Sequence, residues 1–579
     1  MSGPLPFTRN PDLVTLTVQV NGTELPGSLP ILAVEIVQQV NRIPYARLRI
    51  ADGDPATGDF PISTGDLFLP GNSVDILAGY HGATAPLFNG IVLRQRVVVR
   101  SGASWLEVEC RDPAFKMTLT RRNRHYEDMT DSDVAEQLLG EYALGADIEA
   151  TNVTHAQLLQ YQATDWDFLL SRLEANGQVC IVDAGRVTSL KPSLAAAPEA
   201  DIGYGFTLLE LDAEFDARQQ SASIRAVAWD PAGQDMQEAT AADPGWAGNG
   251  NLSPDDLSTA SDRQEDVLWH GGTMASDALQ AWADGAALRS RLSAARGRAR
   301  FQGLSNVKPG SVLQLSRIGD RFNGKVYISG IRHEFSNNNW TSDAEFGMPS
   351  EVHAERFAIN HLPAAGLLPA VCGLQLGVVT QLEDDPAGEH RIRVKVPLAG
   401  MDEQGVWARV ATLDAGDGRG TFFRPEVDDE VVLGFFHDDP AQPVVLGMLH
   451  SSAKAPPLTA SADNHQKTYV SRSGITLLFD DEKKIVSLET PGGNSLILTD
   501  EDGGILLKDQ NGNKLTMNSD GIALESAKEI SIKASTDLKA EGVNTEIKSS
   551  ASFKAQGSAS AEVSSSGTMT VKGSLVQIN

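Results

Sequence analysis

The chain has 579 residues, which is too long for one hydrophobic core, so we expect several domains. Its net charge of −28 at pH 7 argues against nucleic acid and anionic membrane surfaces as partners, because both attract clustered Lys and Arg. The 53 glycines and 28 prolines, with only 6% aromatic residues, favour a turn-rich β architecture.

The first residues, MSGPLPFTRNPDLV, lack the charged and apolar regions of a secretory signal peptide. No apolar run approaches the roughly 18–20 residues that span a bilayer. A protein of this kind that acts outside the cell is expected to leave by a route other than Sec export. The three cysteines, Cys110, Cys180 and Cys372, form neither a disulfide framework nor a CxxC motif, and we predict that all three are buried.

Residues 1–365 are predicted to form a base module of two β-barrels with a helical segment at about 126–200. Alternation of apolar and polar residues predicts its strands, at 15–20, 46–51, 73–80, 90–99, 105–110, 206–211, 223–229, 311–316 and 325–335.

Helical periodicity interrupts these strands three times. Residues 131–142 are predicted to form a helix capped by Asp131 or Ser132, and residues 164–177 one capped by Thr164 or Asp165 and ended by Gly177. A third helix is predicted around Ser276–Arg296, after a polar stretch at 230–275 that is expected to loop across the surface.

Residues 366–455 are predicted to form an OB-fold domain, because five short strands in about 75 residues suit a small closed barrel. These strands are expected at 374–382, 390–396, 405–411, 429–436 and 443–449. The Pro- and Ser-containing residues 456–475 that follow are predicted to be a linker.

The last part of the chain, residues 476–579, contains an internal repeat of apolar dyads separated by Gly, Asn, Asp and Ser. The dyads Val486/Leu488, Leu496/Leu498, Ile505/Leu507 and Leu515/Met517 follow one another at 10, 9 and 10 residues. From Ile522/Leu524 onward the spacing is 8 or 7 residues, through Ile530/Ile532, Leu538/Ala540, Thr545/Ile547, Phe553/Ala555, Ala561/Val563, Met569/Val571 and Val576/Ile578.

Two side chains on one face of a short strand cannot form a core alone, but stacked repeats bury a continuous apolar column. We therefore predict a β-helical needle over 476–579, whose looser part at 476–517 forms a wider collar. Its predicted core residues are Ile522, Leu524, Ile530, Ile532, Leu538, Ile547, Phe553, Val563, Met569, Val571, Val576 and Ile578. The repeat leaves a single-chain solenoid and three interwound chains both open, and the Ser and Ala content also allows a disordered tail.

No catalytic or metal-binding motif stands out, so we predict no enzyme activity, metal or cofactor. His437 beside Asp438 and Asp439 is interpreted as a barrel turn, and the carboxylate pairs Asp384–Asp385 and Asp428–Asp429 have no evident acid/base role. The glycine-containing segments 416–420, 500–504 and 509–513 are interpreted as loops rather than phosphate or calcium sites.

The whole order of domains resembles the VgrG spike family of contractile injection systems and the central spike of contractile phage tails. In the base module the resemblance is carried by SVDILAGYHGATAPLFNGIV, SDVAEQLL, QATDWDFLLSRLEANG and VKPGSVLQLSRIGDRFNGKVYISGIRHEF. In the OB region it is carried by GVVTQLEDDPAGEHRIRVKVP, GVWARVATLDAG, FFRPEVDDEVVLGFFHDDPAQPVVLG and SSAKAPP. The sequence looks most like spikes of extracellular, phage-tail-like particles, and departs from the type VI pattern at KVPLAGMDEQG (395–405).

This resemblance implies a homotrimer with interwound needles, in which the base module docks a hexameric inner tube and baseplate proteins. It further implies a PAAR-like tip protein on Leu575, Val576, Gln577, Ile578 and Asn579, possible cargo effectors, and a target cell envelope that the spike pierces. The protein is expected to be made in the bacterial cytoplasm and carried on a particle that acts outside the cell. The end of the chain on the last dyad leaves no fused effector domain in this expectation.

Two other functions compete with a structural spike. One is an enzyme, either a spike-borne hydrolase or a β-helical enzyme acting on envelope polysaccharide. The other is a β-helical fibre or adhesin, which usually ends in a receptor-binding head. Of the three functions, we expect the structural spike, a mainly β, multidomain protein whose needle has a mechanical role.

Overall fold

The computed structural model describes residues 12–246, 248–397 and 405–579. The chain divides into two compact units, Met1–Ala370 and Val371–Asn579. Strands predominate in both, so the predicted mainly β, multidomain class is confirmed. The segment in which the sequence departs from the type VI pattern lies mostly outside the described residues, since 398–404 are not described.

One large sheet organises the first unit. It joins 13 strands, namely β1 (Val14–Val20), β2 (Thr23–Glu24), β3 (Ile31–Gln39), β4 (Tyr45–Ala51), β5 (Ser73–Tyr80), β6 (Ala83–Arg100), β7 (Ala103–Arg111), β13 (Asp201–Gly203), β14 (Leu208–Phe215), β18 (Ala295–Gln302), β19 (Val312–Ser316), β20 (Gly324–Ser336) and β21 (Asn339–Phe346). Eleven of them follow the path β14-β18-β21-β20-β3-β4-β7-β6-β5-β1-β2, and a further pair, β13 and β19, is attached to β20.

Two hydrophobic cores lie along this sheet. The first is built by alternate residues of β1 and β3–β7, such as Ile36, Leu48 and Ile76. The second is built by β13, β14 and β18–β21, with Phe301 and Ile328 at its centre. The two predicted barrels therefore correspond to two cores on one continuous sheet, because β20 pairs with β3 of the first lobe as well as with β21.

A smaller segment with two helices packs around its own core. It contains β8 (Arg121–Thr130), α1 (Asp131–Glu141), β9 (Gly145–Ile148), β10 (Thr154–Thr164), α2 (Asp165–Ala175), β11 (Val179–Asp183) and β12 (Arg186–Leu190). Both predicted helices are confirmed, as is the cap of the second by Thr164.

The cap of α1 is Thr130, so the prediction of Asp131 or Ser132 is wrong by one residue. Thr130 Oγ1 accepts the amide of Asp133 at 3.1 Å, while the Asp133 carboxylate accepts the amide of Thr130 at 3.0 Å. Asp131 is instead buried and forms an ion pair with Arg172, whose Nε lies 2.6 Å from Asp131 Oδ1. Its side chain therefore ties α1 to α2.

The stretch 230–275 is not the surface loop that its composition predicts. It contains β16 (Asp235–Thr240), α3 (Pro254–Ser261) and β17 (Glu265–His270), which follow β15 (Ser223–Asp230) and precede α4 (Ser276–Ala294). The strands form the sheet β16-β15-β17, and α4 packs its Leu279 and Ala283 against Ala226 and Ala228. Because this core is built largely from alanines, its elements show little alternation between large apolar and polar residues. The sequence pattern therefore does not reveal them. A short helix, α5 (His353–Arg356), follows the second lobe.

The second unit begins with the predicted OB barrel. Its strands are β22 (Gln375–Gln381), β23 (Ile392–Lys395), β24 (Val406–Val410), β27 (Glu430–Phe435) and β28 (Pro443–Met448), and they close in the order β22-β23-β24-β28-β27. A small hairpin, β25 (Ala415–Gly416) and β26 (Arg419–Gly420), projects between them. The five predicted barrel strands are confirmed, and inward residues such as Val379, Val394 and Leu433 fill the interior.

Seven further strands complete the second unit in one antiparallel meander. They are β29 (Gln466–Val470), β30 (Thr476–Asp480), β31 (Ile485–Glu489), β32 (Ser495–Thr499), β33 (Gly504–Lys508), β34 (Lys514–Asn518) and β35 (Gly521–Glu525). Because β29 lies at 466–470, the predicted linker is wrong over that part of 456–475. Among the described residues, no helix is long and apolar enough to cross a membrane.

Candidate functional site: the C-terminal assembly surface

The meander of residues 466–525 contains the predicted collar at 476–517, and the whole meander is called the collar from here on. It differs from the predicted β-helix in how its strands pair. Each strand pairs antiparallel with the next one, in hairpins that lie within a single chain. The dyads of this region do lie on strands, with both residues of each dyad on one face. The sequence pattern therefore predicted the strands and their faces, but not their connection.

The alternating dyad spacing of 10 and 9 residues arises from a 19-residue repeat of strand pairs. Three hairpin loops recur at this distance, at 471–475, 490–494 and 509–513. In each loop the first side chain accepts the amide of the fifth residue, at 3.0, 3.3 and 2.8 Å. The fourth residue is a glycine with positive φ, namely Gly474 (85°), Gly493 (91°) and Gly512 (89°).

The third loop is the DQNGN segment, residues 509–513, which the sequence predicts to be a turn. The side-chain amides of Asn511 and Asn513 donate to Asp509 Oδ2, at 3.2 and 2.7 Å. Hydrogen bonds from Asn513 and Asn511 lower the pKa of Asp509 to about 2. The carboxylate is thus used by its own loop, as a turn requires.

The register of the collar aligns its apolar dyads into two columns on one face. This apolar face consists of Leu477, Leu488, Leu496, Leu507, Leu515 and Leu524 in one column, and Phe479, Val486, Leu498, Ile505, Met517 and Ile522 in the other. Leu488 is 44% exposed and Leu498 43% exposed. Folded proteins seldom leave such a row of half-exposed leucines in water, so this face is the candidate interaction surface.

Beyond Glu525 the chain changes character. Residues 526–579, named here the shaft, contain neither a helix nor a strand pair within the chain, and every residue from 527 to 579 is exposed. The predicted needle-core residues share this exposure; Ile532 is 69%, Phe553 66% and Val571 66% exposed. The chain alone brings no two of these dyads into a common core.

The arrangement of the shaft differs from that of a single-chain solenoid. Such a solenoid needs successive repeats of one chain to pair with each other, whereas the shaft contains no such pair. The predicted tip-docking residues Leu575 and Ile578 are likewise 77% and 91% exposed. The shaft therefore presents regularly spaced apolar side chains that its own chain leaves exposed.

One member of each carboxylate pair, Asp385 and Asp429, has a structural role in the barrel. Asp385 accepts hydrogen bonds from Arg391 and from the amides of Ala387 and Glu389. These bonds, led by that of Arg391, hold the pKa of Asp385 far below its usual range. Asp429 accepts from Lys454 at 3.1 Å.

Within the described ranges, no group of three or more His, Cys, Asp or Glu could hold a metal ion. Burial raises the pKa of the Cys110 thiol to about 12 and that of Cys180 still further. Cys372, which was predicted to be buried, is exposed because it lies in the segment that leads into the barrel.

Three parts of the chain match known protein families. Residues 10–337 match the family described as the Alg8 N-terminal domain, which covers more than half of the chain. The chain belongs to the Alg8 N-terminal domain family. Residues 375–450 of this family member match the type VI secretion system/phage-baseplate injector OB domain, and residues 484–579 match the phage baseplate V C-terminal trimerisation domain.

Similar proteins carry spike and tail names. The type VI secretion system spike protein VgrG4b of Pseudomonas aeruginosa is 32% identical over 112 residues, which is 18% of this chain and 14% of that protein. The chain thus spans about a seventh of the length of this curated relative. With the OB and trimerisation matches, this confirms the predicted resemblance to VgrG-type spikes.

Solved structures also resemble this chain, at lower sequence identity. A tail protein of Neisseria meningitidis MC58 is 15% identical, with 58% of this chain and 96% of that chain covered at a TM-score of 0.44. The c3393 protein of E. coli, a component of the type VI secretion system, is 14% identical, with 75% and 99% covered at a TM-score of 0.36.

Proposed function

We propose that three copies of this chain form the central spike of a contractile injection system, of the extracellular, phage-tail-like kind. The first unit docks a hexameric inner tube and baseplate proteins, and a PAAR-like tip protein sits on residues 575–579. Sheath contraction drives the spike through the envelope of a target cell, and cargo effectors travel with it. The particle is assembled in the bacterial cytoplasm and acts outside the cell, and the chain itself performs no catalysis.

The observation that carries this proposal is the exposed shaft. Its dyads continue the apolar pattern of the collar, yet residues 526–579 have no strand partner within the chain. The same region matches a trimerisation domain. Three interwound copies satisfy both facts, because each chain then supplies the backbone and apolar partners that the others lack.

Interwinding also suits a mechanical role. Strands that pair between three chains have no lateral edge, so the backbone hydrogen bonds are satisfied along the whole shaft. Apolar side chains then fill the interior while the lysines that follow dyad residues, such as Lys533 and Lys554, face the solvent. A rod of this kind transmits a compressive load through many hydrogen bonds at once.

A mass measurement of the purified full chain, combined with electron microscopy, tests this function. We expect three times the mass of one chain and a particle with a needle-shaped projection. A matched variant that lacks residues 476–579 should lose the projection. A monomeric full chain without a needle would contradict the proposal.

Particle assembly in the producing cell distinguishes a spike from the two competing functions. Deletion of 476–579 should abolish functional particles, whereas deletion of the stalk of an adhesin would leave assembly intact and remove only attachment. The purified chain should also release no product from envelope polysaccharide. Measurable turnover by the chain would favour the enzyme.

A further inference from the structure

A loop of the OB barrel exposes an unusual amount of apolar surface. In residues 412–424, named here the aromatic loop, Leu413 is 96% exposed, Phe422 78% and Phe423 55%. Three large apolar side chains are thus exposed within eleven positions of one loop, and exposed aromatic residues are enriched at interaction surfaces.

The aromatic loop is held in one conformation by its own hydrogen bonds. Thr421 donates its amide to the carbonyl of Asp414 at 2.9 Å, which closes the β25–β26 hairpin. Arg419 Nη1 lies 2.8 Å from Asp414 Oδ1, so the charge of that carboxylate is paired within the loop. A loop fixed in this way loses little entropy when it binds.

Arg424 fastens the other side of the loop to the barrel. Its guanidinium donates to the carbonyls of Leu382 at 2.6 Å and His390 at 2.7 Å. The same guanidinium lies 4.9 Å from the ring centre of Phe422. Phe422 is therefore supported by Arg424 and still 78% exposed.

Phe423 connects the loop to the collar. Its ring meets the ring of Tyr469 edge-on, with centroids 5.1 Å apart. Tyr469 is the register partner of Leu477, which is in turn the partner of Leu488. The aromatic loop is thus continuous with the first column of the apolar face, which leads into the trimerisation domain.

We infer that the aromatic loop binds a second copy of this chain, so that within the second unit the contact between subunits begins in the OB barrel and not at the collar. This inference rests on the proposed trimer. Continuity selects the occupant: residues 484–579, which supply most of the apolar face, match a trimerisation domain, and Tyr469 and Phe423 extend that face, so the same second copy covers them. Phe422 and Leu413 then lie against the neighbouring subunit.

Photo-crosslinking in the full chain tests this contact without disturbing the fold. p-Benzoylphenylalanine is placed at position 422, at position 553 in the shaft, or at position 204, where the tyrosine is 70% exposed in the first unit. We expect covalent dimers and trimers of the chain from positions 422 and 553, and at least about tenfold less product from position 204.

The outcomes separate the inference from the proposed function. Crosslinks at 553 but none at 422 would overturn the inference and leave the trimer standing. A monomeric mass with crosslinks at neither position would overturn both. A different protein captured at position 422 in producing cells, with no product between copies, would also overturn the inference.

Substitution gives a quantitative check. The double variant Phe422→Ser with Phe423→Ser should make the trimer dissociate at a protein concentration about tenfold higher, because two aromatic anchors are lost. Phe422→Leu with Phe423→Leu should recover most of this loss, and Tyr204→Ser should change nothing. An unchanged dissociation midpoint in the double Ser variant would contradict the contact.

Discussion

His333 lies in β20, and its imidazole is fully enclosed next to the first core of the large sheet. Its Nδ1 lies 2.8 Å from Ser342 Oγ, and the indole Nε1 of Trp340 donates to the same nitrogen at 3.4 Å. Since Nδ1 serves as an acceptor, the imidazole is neutral and carries its proton on Nε2. Burial, together with the charge of Lys308, lowers the pKa of His333 to about 3.

This depressed pKa predicts acid sensitivity of the first unit. Between pH 6.5 and about 3 the unfolded state binds a proton at His333 that the folded state does not, so the free energy of unfolding falls as the pH falls. The contribution is about 1.4 kcal/mol per pH unit while the unfolded group is charged and the folded one is not. Denaturant unfolding of the full chain over this range measures it.

His333→Gln is the matched variant, because its side chain can still accept a hydrogen bond but does not titrate. The difference in pH slope between the two chains isolates His333 from the many carboxylates. Equal slopes would mean that the imidazole is protonated in the folded protein and that this picture of its surroundings is wrong.

At the scale of single elements, the three loops of the collar repeat one backbone geometry. Gly493 has φ of 91°, a region that residues with a Cβ adopt only with strain, and a Cβ at this position would meet no atom within 4 Å. The cost of Gly493→Ala is therefore purely conformational, and we expect a loss of about 1 kcal/mol in the free energy of unfolding of the second unit.

Gly447→Ala is the control for this substitution. Gly447 also has open space around its Cβ position, but its φ is not positive. Denaturant titration of the two variants should show a loss for Gly493→Ala alone. Equal losses would indicate that the loop conformation is not what requires glycine.

The elements also show what the sequence could and could not predict. Alternating strands such as β5 and both capped helices followed from local pattern, because burial on one face imposes a period. β8, with the sequence RRNRHYEDMT, has no such pattern. It is a strand because it pairs with β10 and its arginines reach acidic partners; Arg124 Nη2 lies 2.7 Å from Glu141 Oε2.

Only part of the apolar face of the collar could be predicted from the sequence. Dyads specify which side chains share a face, so the apolar columns followed from the sequence. A dyad does not specify whether its strand pairs with the next strand of the same chain or with another chain. The collar uses the first solution, and the 19-residue repeat that reveals it requires the loops at 474, 493 and 512 to be compared as well as the dyads.

At the scale of the whole molecule, substitutions at inward and at outward positions of the shaft should have different effects on the trimer. Ile532→Asp places a charge at a predicted core position, where three symmetry-related carboxylates would meet, so we expect loss of the trimer. Lys533→Asp changes the charge of the adjacent outward position and should leave the trimer intact. Light-scattering mass at one concentration compares the two, and dissociation by Lys533→Asp alone would reverse the proposed facing.

Hydrogen exchange in the full chain tests how collar and shaft acquire their structure. The collar strands are hydrogen-bonded within one chain, so their amides should be protected whether the protein is trimeric or monomeric. The amides of 526–579 have no partner strand in the chain and should be protected only in the trimer, with exchange in the Ile532→Asp monomer within about tenfold of an unfolded peptide. Protection of the shaft in a monomer would indicate a single-chain solenoid, and fast exchange in the trimer would indicate a disordered tail. Selective loss of protection after Glu525 is the result that three interwound chains require, because only there does each backbone depend on its neighbours.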